Sequence, residues 1–266
     1  MILKKFNEQD YLVLRIPFET NRQSPSSLGR VFVLCIFCQA LLLFLEFYVA
    51  GYSVFPHIDQ IVWLHLVLSV LLTVVSIFFS VPKIYNKYQK SQYLISILIS
   101  HNLFTISTFI LLFACLGTMV TSNNDAIQLQ VLATVMLWLG LLVFLVTCIR
   151  FYILLKKGHY RKGSANDRLR SKFDTKSYLP TVIIISLGFF YIMQFLFRQV
   201  DIAQMDLLFI IVILILIFYV MLFVLPEQLV ILYCKYRFKS FIFESNGKYL
   251  ISVQDTQEVE KSSFNK

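Results

Sequence analysis

Residues 60–81, QIVWLHLVLSVLLTVVSIFFSV, run for 22 positions without an Asp, Glu, Lys or Arg. Crossing ~30 Å of hydrocarbon at ~1.5 Å per helical residue takes about 20 residues, so the stretch reads as a transmembrane helix. Its few polar groups say how that helix sits. His65, Ser69, Thr73, Ser76 and Ser80 fall on one stripe roughly 80° wide at ~100° per residue, and the rest of the circumference is apolar. Lipid offers no hydrogen-bond partner, so the stripe must face protein or water.

Five further runs of this kind lie at 30–51, 94–120, 128–153, 178–199 and 207–226. The composition, 58% hydrophobic and 15% charged with mean hydropathy +0.73, is far from the balance of soluble domains. The fold class expected is an all-α integral membrane protein, a bundle of six transmembrane helices. Its divisions are a leader at 1–28, a six-span membrane domain at 29–236 and a tail at 237–266.

Lys and Arg set the orientation. The leader to residue 30 carries five, the second loop three (Lys83, Lys87, Lys90), the fourth loop nine from Arg150 to Lys176, and the tail six from Lys235 to Lys266. The first and third loops carry none and the fifth only Arg198, so 23 of the 24 basic residues fall on one side. Both termini are therefore expected in the cytoplasm of a cell-membrane protein. The net charge of +9 fits topology and anionic inner-leaflet lipid; no nucleic-acid motif accompanies it, so the bilayer is a partner and nucleic acid is not.

The five cysteines lie within or at the ends of apolar runs, and Cys35-x-x-Cys38 has no His or acidic neighbour. Small packing residues are the reading, with no disulfide framework and no metal site. The first 28 residues are mixed polar, so no cleavable signal is expected. Met1–Phe6 and Tyr11–Pro17 flank a polar Asn7–Asp10 segment, which reads as a small hairpin or as one amphipathic segment on the inner leaflet. The sixth helix should continue or kink at Pro226 and emerge along the interface, its Lys and Arg reaching toward head groups. Beyond it, Asn246-Gly247 between β-prone residues predicts a hairpin near 241–252 that pairs with the leader.

Ionisable groups inside hydrocarbon need a stated reason. Glu46 ends the first span, His65 begins the second, and Gln194 and Arg198 reach the same outer level from the fifth, where Tyr191 shares their stripe. These four residues form a candidate polar pocket: a structural ion pair at the bundle mouth, or an open site that binds a ligand or passes a proton with His65 as its titrating member. A second set, Ser69, Thr73, Ser100, His101, Asn102 and Thr105, is a candidate interhelical polar core. Polar groups nearly all round the third span place it at the centre of the bundle. The sixth, with only Tyr219, belongs at the lipid-facing periphery.

Catalytic signatures are missing: no H-E-x-x-H, no intramembrane Asp, no paired Glu, no Gly-x-Ser-x-Gly nucleophile turn and no Walker A loop. His65 and His101 lie ~12 Å apart along the membrane normal by helical rise, too far to ligate one haem iron. No cofactor is expected. The leading reading is a non-enzymatic partner-binding protein of the bacterial cell membrane: an accessory, sensor or toxin-protection (immunity) component. The alternative is a permease subunit whose ATPase is a separate chain, docking on loops 82–93 and 154–177. A membrane enzyme centred on Glu46, His65 and Arg198 ranks third. Short outer loops favour a small ligand, a peptide lying in the membrane or a cytoplasmic protein as partner.

Overall fold

Ser24 followed by Pro25 begins the first long helix as chain chemistry predicts: the Ser24 hydroxyl accepts from the Ser27 amide at 3.3 Å, and Pro25 has no amide hydrogen to leave unsatisfied. The computed structural model describes residues 5–120, 122–165, 167–169, 205–244, 247 and 250–251. In chain order these give a 3-10 helix at Glu8–Arg15, then α1 (Ile16–Glu19), α2 (Pro25–Ala50), α3 (Ile58–Ser80), α4 (Pro82–Lys87) and α5 (Gln89–His101). A π-helical turn at Asn102–Ile106 joins α5 to α6 (Ser107–Thr118), followed by α7 (Asn123–Lys156) and α8 (Met205–Arg237).

Among the described residues, five helical stretches are long and apolar enough to cross a membrane: α2, α3, the unit α5 to α6, α7 and α8. The run at 178–199, with Tyr191, Gln194 and Arg198, lies outside the described residues. The surface is inverted relative to a soluble protein. Phe37 and Leu64 are 70% and 73% exposed while Glu46 and His65 are buried, which suits a hydrocarbon solvent. Within its apolar stretch the α5 to α6 unit is 67% buried, against 11–22% for the other four, so it is the central helix; α8 is the least covered.

Two apolar clusters mark the two ends of the bundle. At the cap end, Tyr11, Leu14 and Phe18 of the leader meet Tyr93 of α5, Leu155 of α7, Cys234 of α8 and Phe241 and Phe243 of the tail. At the far end, Ala50, Ile58, Leu112, Leu129 and Ile211 come together. Both ends of the described chain therefore meet at the cap end, α7 finishes there, and α8 starts at the far end.

Three expectations are corrected in this cap. The leader is helical, and no strand forms in it among the described residues. The Asn7 amide donates to Asp10 Oδ2 at 2.9 Å, a reciprocal closure that starts a helix. Tyr11, Leu14 and Phe18 have no exposed surface, so the segment is embedded in protein and does not rest on lipid. The hairpin near 241–252 is reduced, among the described residues, to one antiparallel bridge, Phe243 with Leu250, and it does not pair with the leader. Gly247 does take the left-handed φ of +69° that an Asn-Gly turn requires. The edge of Phe243 is consumed by a side chain: Gln89 Oε1 accepts from its amide at 2.8 Å and Gln89 Nε2 donates to its carbonyl at 3.0 Å. Contact with the leader is through side chains instead, including Ser240 with Glu8, and Arg15 Nη2 donating to the Ile251 carbonyl at 3.3 Å. Burial lowers the Arg15 pKa, with Glu19 and Glu8 pulling the other way.

Lys235 is the third correction. It turns inward and does not reach for head groups: 2% exposed, it donates to the Phe241 carbonyl at 3.1 Å and lies 4.1 Å from the Phe18 ring centroid. The folded tail offers this ammonium a carbonyl and aromatic faces, which replace part of its hydration.

Candidate functional site: a buried polar line through three helices

Antiparallel packing of α2 on α3 brings their polar stripes face to face. Near the far end, His65 Nδ1 and Glu46 Oε2 are 2.7 Å apart; two turns inward, Thr73 donates to Gln39 Oε1 at 3.2 Å. His65 and Ser69 are one turn apart on α3, and His65 Nε2 meets Ser69 Oγ at 3.2 Å. Asn102 of the central helix completes the line, its Nδ2 donating to Ser69 Oγ at 2.9 Å. All four groups, Glu46, His65, Ser69 and Asn102, are no more than 3% exposed.

Local helix geometry explains why Asn102 reaches this line. It is the first residue of the π-helical turn, and its neighbour His101 points ~100° away. His101 Nε2 pairs with Gln228 Oε1 of α8 at 3.0 Å, and Nδ1 with Thr105 Oγ1 at 3.0 Å. Two adjacent residues thus bind two different helices at a helix irregularity of the kind found at functional positions.

The hydrogen count of the line has a definite logic. Asn102 Nδ2 can only donate, so Ser69 accepts from it and keeps its own hydrogen. With a neutral ring, Ser69 donates to Nε2 and Nδ1–H donates to the Glu46 carboxylate. That state leaves a net negative charge in hydrocarbon, which is costly. One added proton makes the pair net neutral, places hydrogen on Nε2 and reverses the bond to Ser69. The titratable groups around this position are Glu46 on α2 and, beside Asn102, His101 facing α8.

Glu46 Oε1, Asn102 Oδ1 and Gln39 Nε2 are buried without a hydrogen-bond partner. These are the polar atoms a bound water or a donor from elsewhere would satisfy. Among the residues singled out from sequence, Glu46, His65, Ser69 and Asn102 form one line and Thr73 joins α3 to α2. His101 and Thr105 form a separate pair, and Ser100 bonds only within its own helix, to the Ile97 carbonyl at 2.9 Å. Gln194 and Arg198 lie outside the described residues. Ser69 bonds both His65 of the first set and Asn102 of the second. Gln228 was missed; the signal was a polar residue two positions after Pro226 in an apolar run.

Among the described residues, no cluster of three His, Cys, Asp or Glu side chains has metal-binding geometry. Comparison with known proteins finds no matching family pattern and no similar curated sequence or solved structure.

Proposed function

We propose that this chain is a non-enzymatic multi-pass membrane protein of the sensor or accessory type, with the Glu46–His65 pair as a proton-binding element. The observation that carries the reading is the unbroken line from Glu46 through His65 and Ser69 to Asn102, which ties one exchangeable proton to three helices. Gain or loss of that proton reverses the Ser69 bond and so biases the contact between α3 and the central helix. Histidine NMR of the full chain in lipid across a pH series tests this. His65 should change protonation together with a helix-contact signal at Asn102, and Ser69→Ala should keep the first change and lose the second. A His65 that never changes state, or a Ser69→Ala protein indistinguishable from wild type, defeats the reading.

The topology proposed with it has a sixth crossing at 178–199 and both termini in the cytoplasm. Two facts support it: the one-sided distribution of basic residues, and the positions of Lys156 and Met205 at opposite ends of the bundle. Carboxyl-terminal reporters active on only one side of the membrane test it. A toxin-protection role for the same architecture requires that deletion sensitise cells only when the toxin is present.

A permease subunit remains the second reading because of α4. None of its residues is buried, and it presents Lys83 and Lys87 at the cap end where an ATPase would dock. Crosslinking from loops 82–93 and 154–177 should then capture a nucleotide-binding partner; capture of none removes this reading.

A further inference from the structure

A cavity of about 370 Å³ opens at the cap end where α4 passes into α5, and Tyr236 and the tail form its other wall. Its polar lining includes Asn86, Lys87 and Lys90, with Tyr88, Tyr236 and Phe243 beside them. Each ammonium is held near an aromatic ring: Lys87 Nζ lies 5.2 Å from the Tyr88 centroid and Lys90 Nζ 5.4 Å from that of Tyr236. Among the described residues no carboxylate lines the cavity or pairs with either lysine. Asn86 Oδ1 is buried without a hydrogen-bond partner.

We infer that this cavity binds the head group of an anionic phospholipid. Three observations select that chemistry. Two unneutralised ammoniums converge on one cavity, which suits a phosphodiester. The rim residues Tyr88 and Tyr236 are 47% and 55% exposed, the placement of tyrosines at a membrane interface. Leu94 and Leu98, four and eight residues after Lys90, are exposed on the same face of α5. An acyl chain leaving the cavity toward hydrocarbon would lie along them, which favours a lipid over free phosphate. The inference is independent of the proton-binding reading and of which leaflet the cap end faces.

Native mass spectrometry of the full chain in detergent, with short-chain phosphatidylglycerol, phosphatidylcholine or inorganic phosphate as probes, tests it. Phosphatidylglycerol should be retained in preference to phosphatidylcholine, and K87Q with K90Q should weaken retention about tenfold or more. K83Q removes the same kind of charge from α4 outside the cavity and should change retention less than twofold. A thermal melt of each variant shows that it is folded. Equal retention of phosphatidylcholine, or equal loss in K83Q, overturns the site. Competition by inorganic phosphate alone at the same concentration overturns the lipid assignment and leaves a soluble-anion site.

Discussion

The spanning part of the bundle and its cap end present different surfaces. Toward the far end, Glu46 and His65 are hidden while Phe37 and Leu64 face outward; at the cap, Leu14 and Phe18 are hidden while Arg161 faces outward. One chain has been fitted to two solvents. Polar contact holds helices together where lipid is the alternative, and apolar contact does so where water is.

Breaking the polar side of this contrast should have the largest effect. His65→Leu strands the Glu46 carboxylate in an apolar interior and should cost about 3–5 kcal/mol, read by equilibrium unfolding in mixed micelles. The double variant with Glu46→Leu should recover most of that loss; a double variant as unstable as the single would mean the pair is not where the energy lies. On the apolar side, Leu14→Ala in the cap should cost about 2–5 kcal/mol and expose the tail to protease. Loss of stability without tail cleavage would separate the leader from the tail.

Gly117→Ala probes the far end. A Cβ there would lie 3.0 Å from the Phe55 amide nitrogen, and closer to the Ser53 hydroxyl, so about 1–3 kcal/mol should be lost in a thermal melt. Lys235→Met sharpens the comparison with His65. It removes a desolvated cation together with its charge and orphans only the Phe241 carbonyl, so stability should shift by about 1 kcal/mol or less. Arg161→Gln breaks the 2.7 Å pair with Asp10 on an exposed side chain. About 0.2–1 kcal/mol should be lost, and less at high salt, by the same unfolding assay.

Apolar runs fix the helices in sequence because length and hydropathy are properties of one segment. The stripe on α3 was equally legible, since helical period alone places His65, Ser69 and Thr73 together. What joins Ser69 to Asn102 was not legible: the register of α3 against the central helix depends on both, and on a π-helical turn that no residue pattern at 102–106 announces. Lys235 followed the usual expectation for a lysine at a helix end until the tail folded over it. The leader's two short apolar stretches, Met1–Phe6 and Tyr11–Pro17, read as strands flanking a turn, yet the Asn7–Asp10 closure decides for a helix. Gln89 shows the same limit, since its two bonds to Phe243 span 154 positions of chain.

That last clasp has a consequence for biosynthesis. Phe18 leaves the ribosome well before Phe241 and Phe243, which cover it and follow it by 223 and 225 positions of chain. At about 5–20 residues per second, Phe18 waits roughly 11–45 s for its cover. Throughout that interval its aromatic surface is open to chaperones or to the membrane face, and the cap closes only after α8 has been inserted.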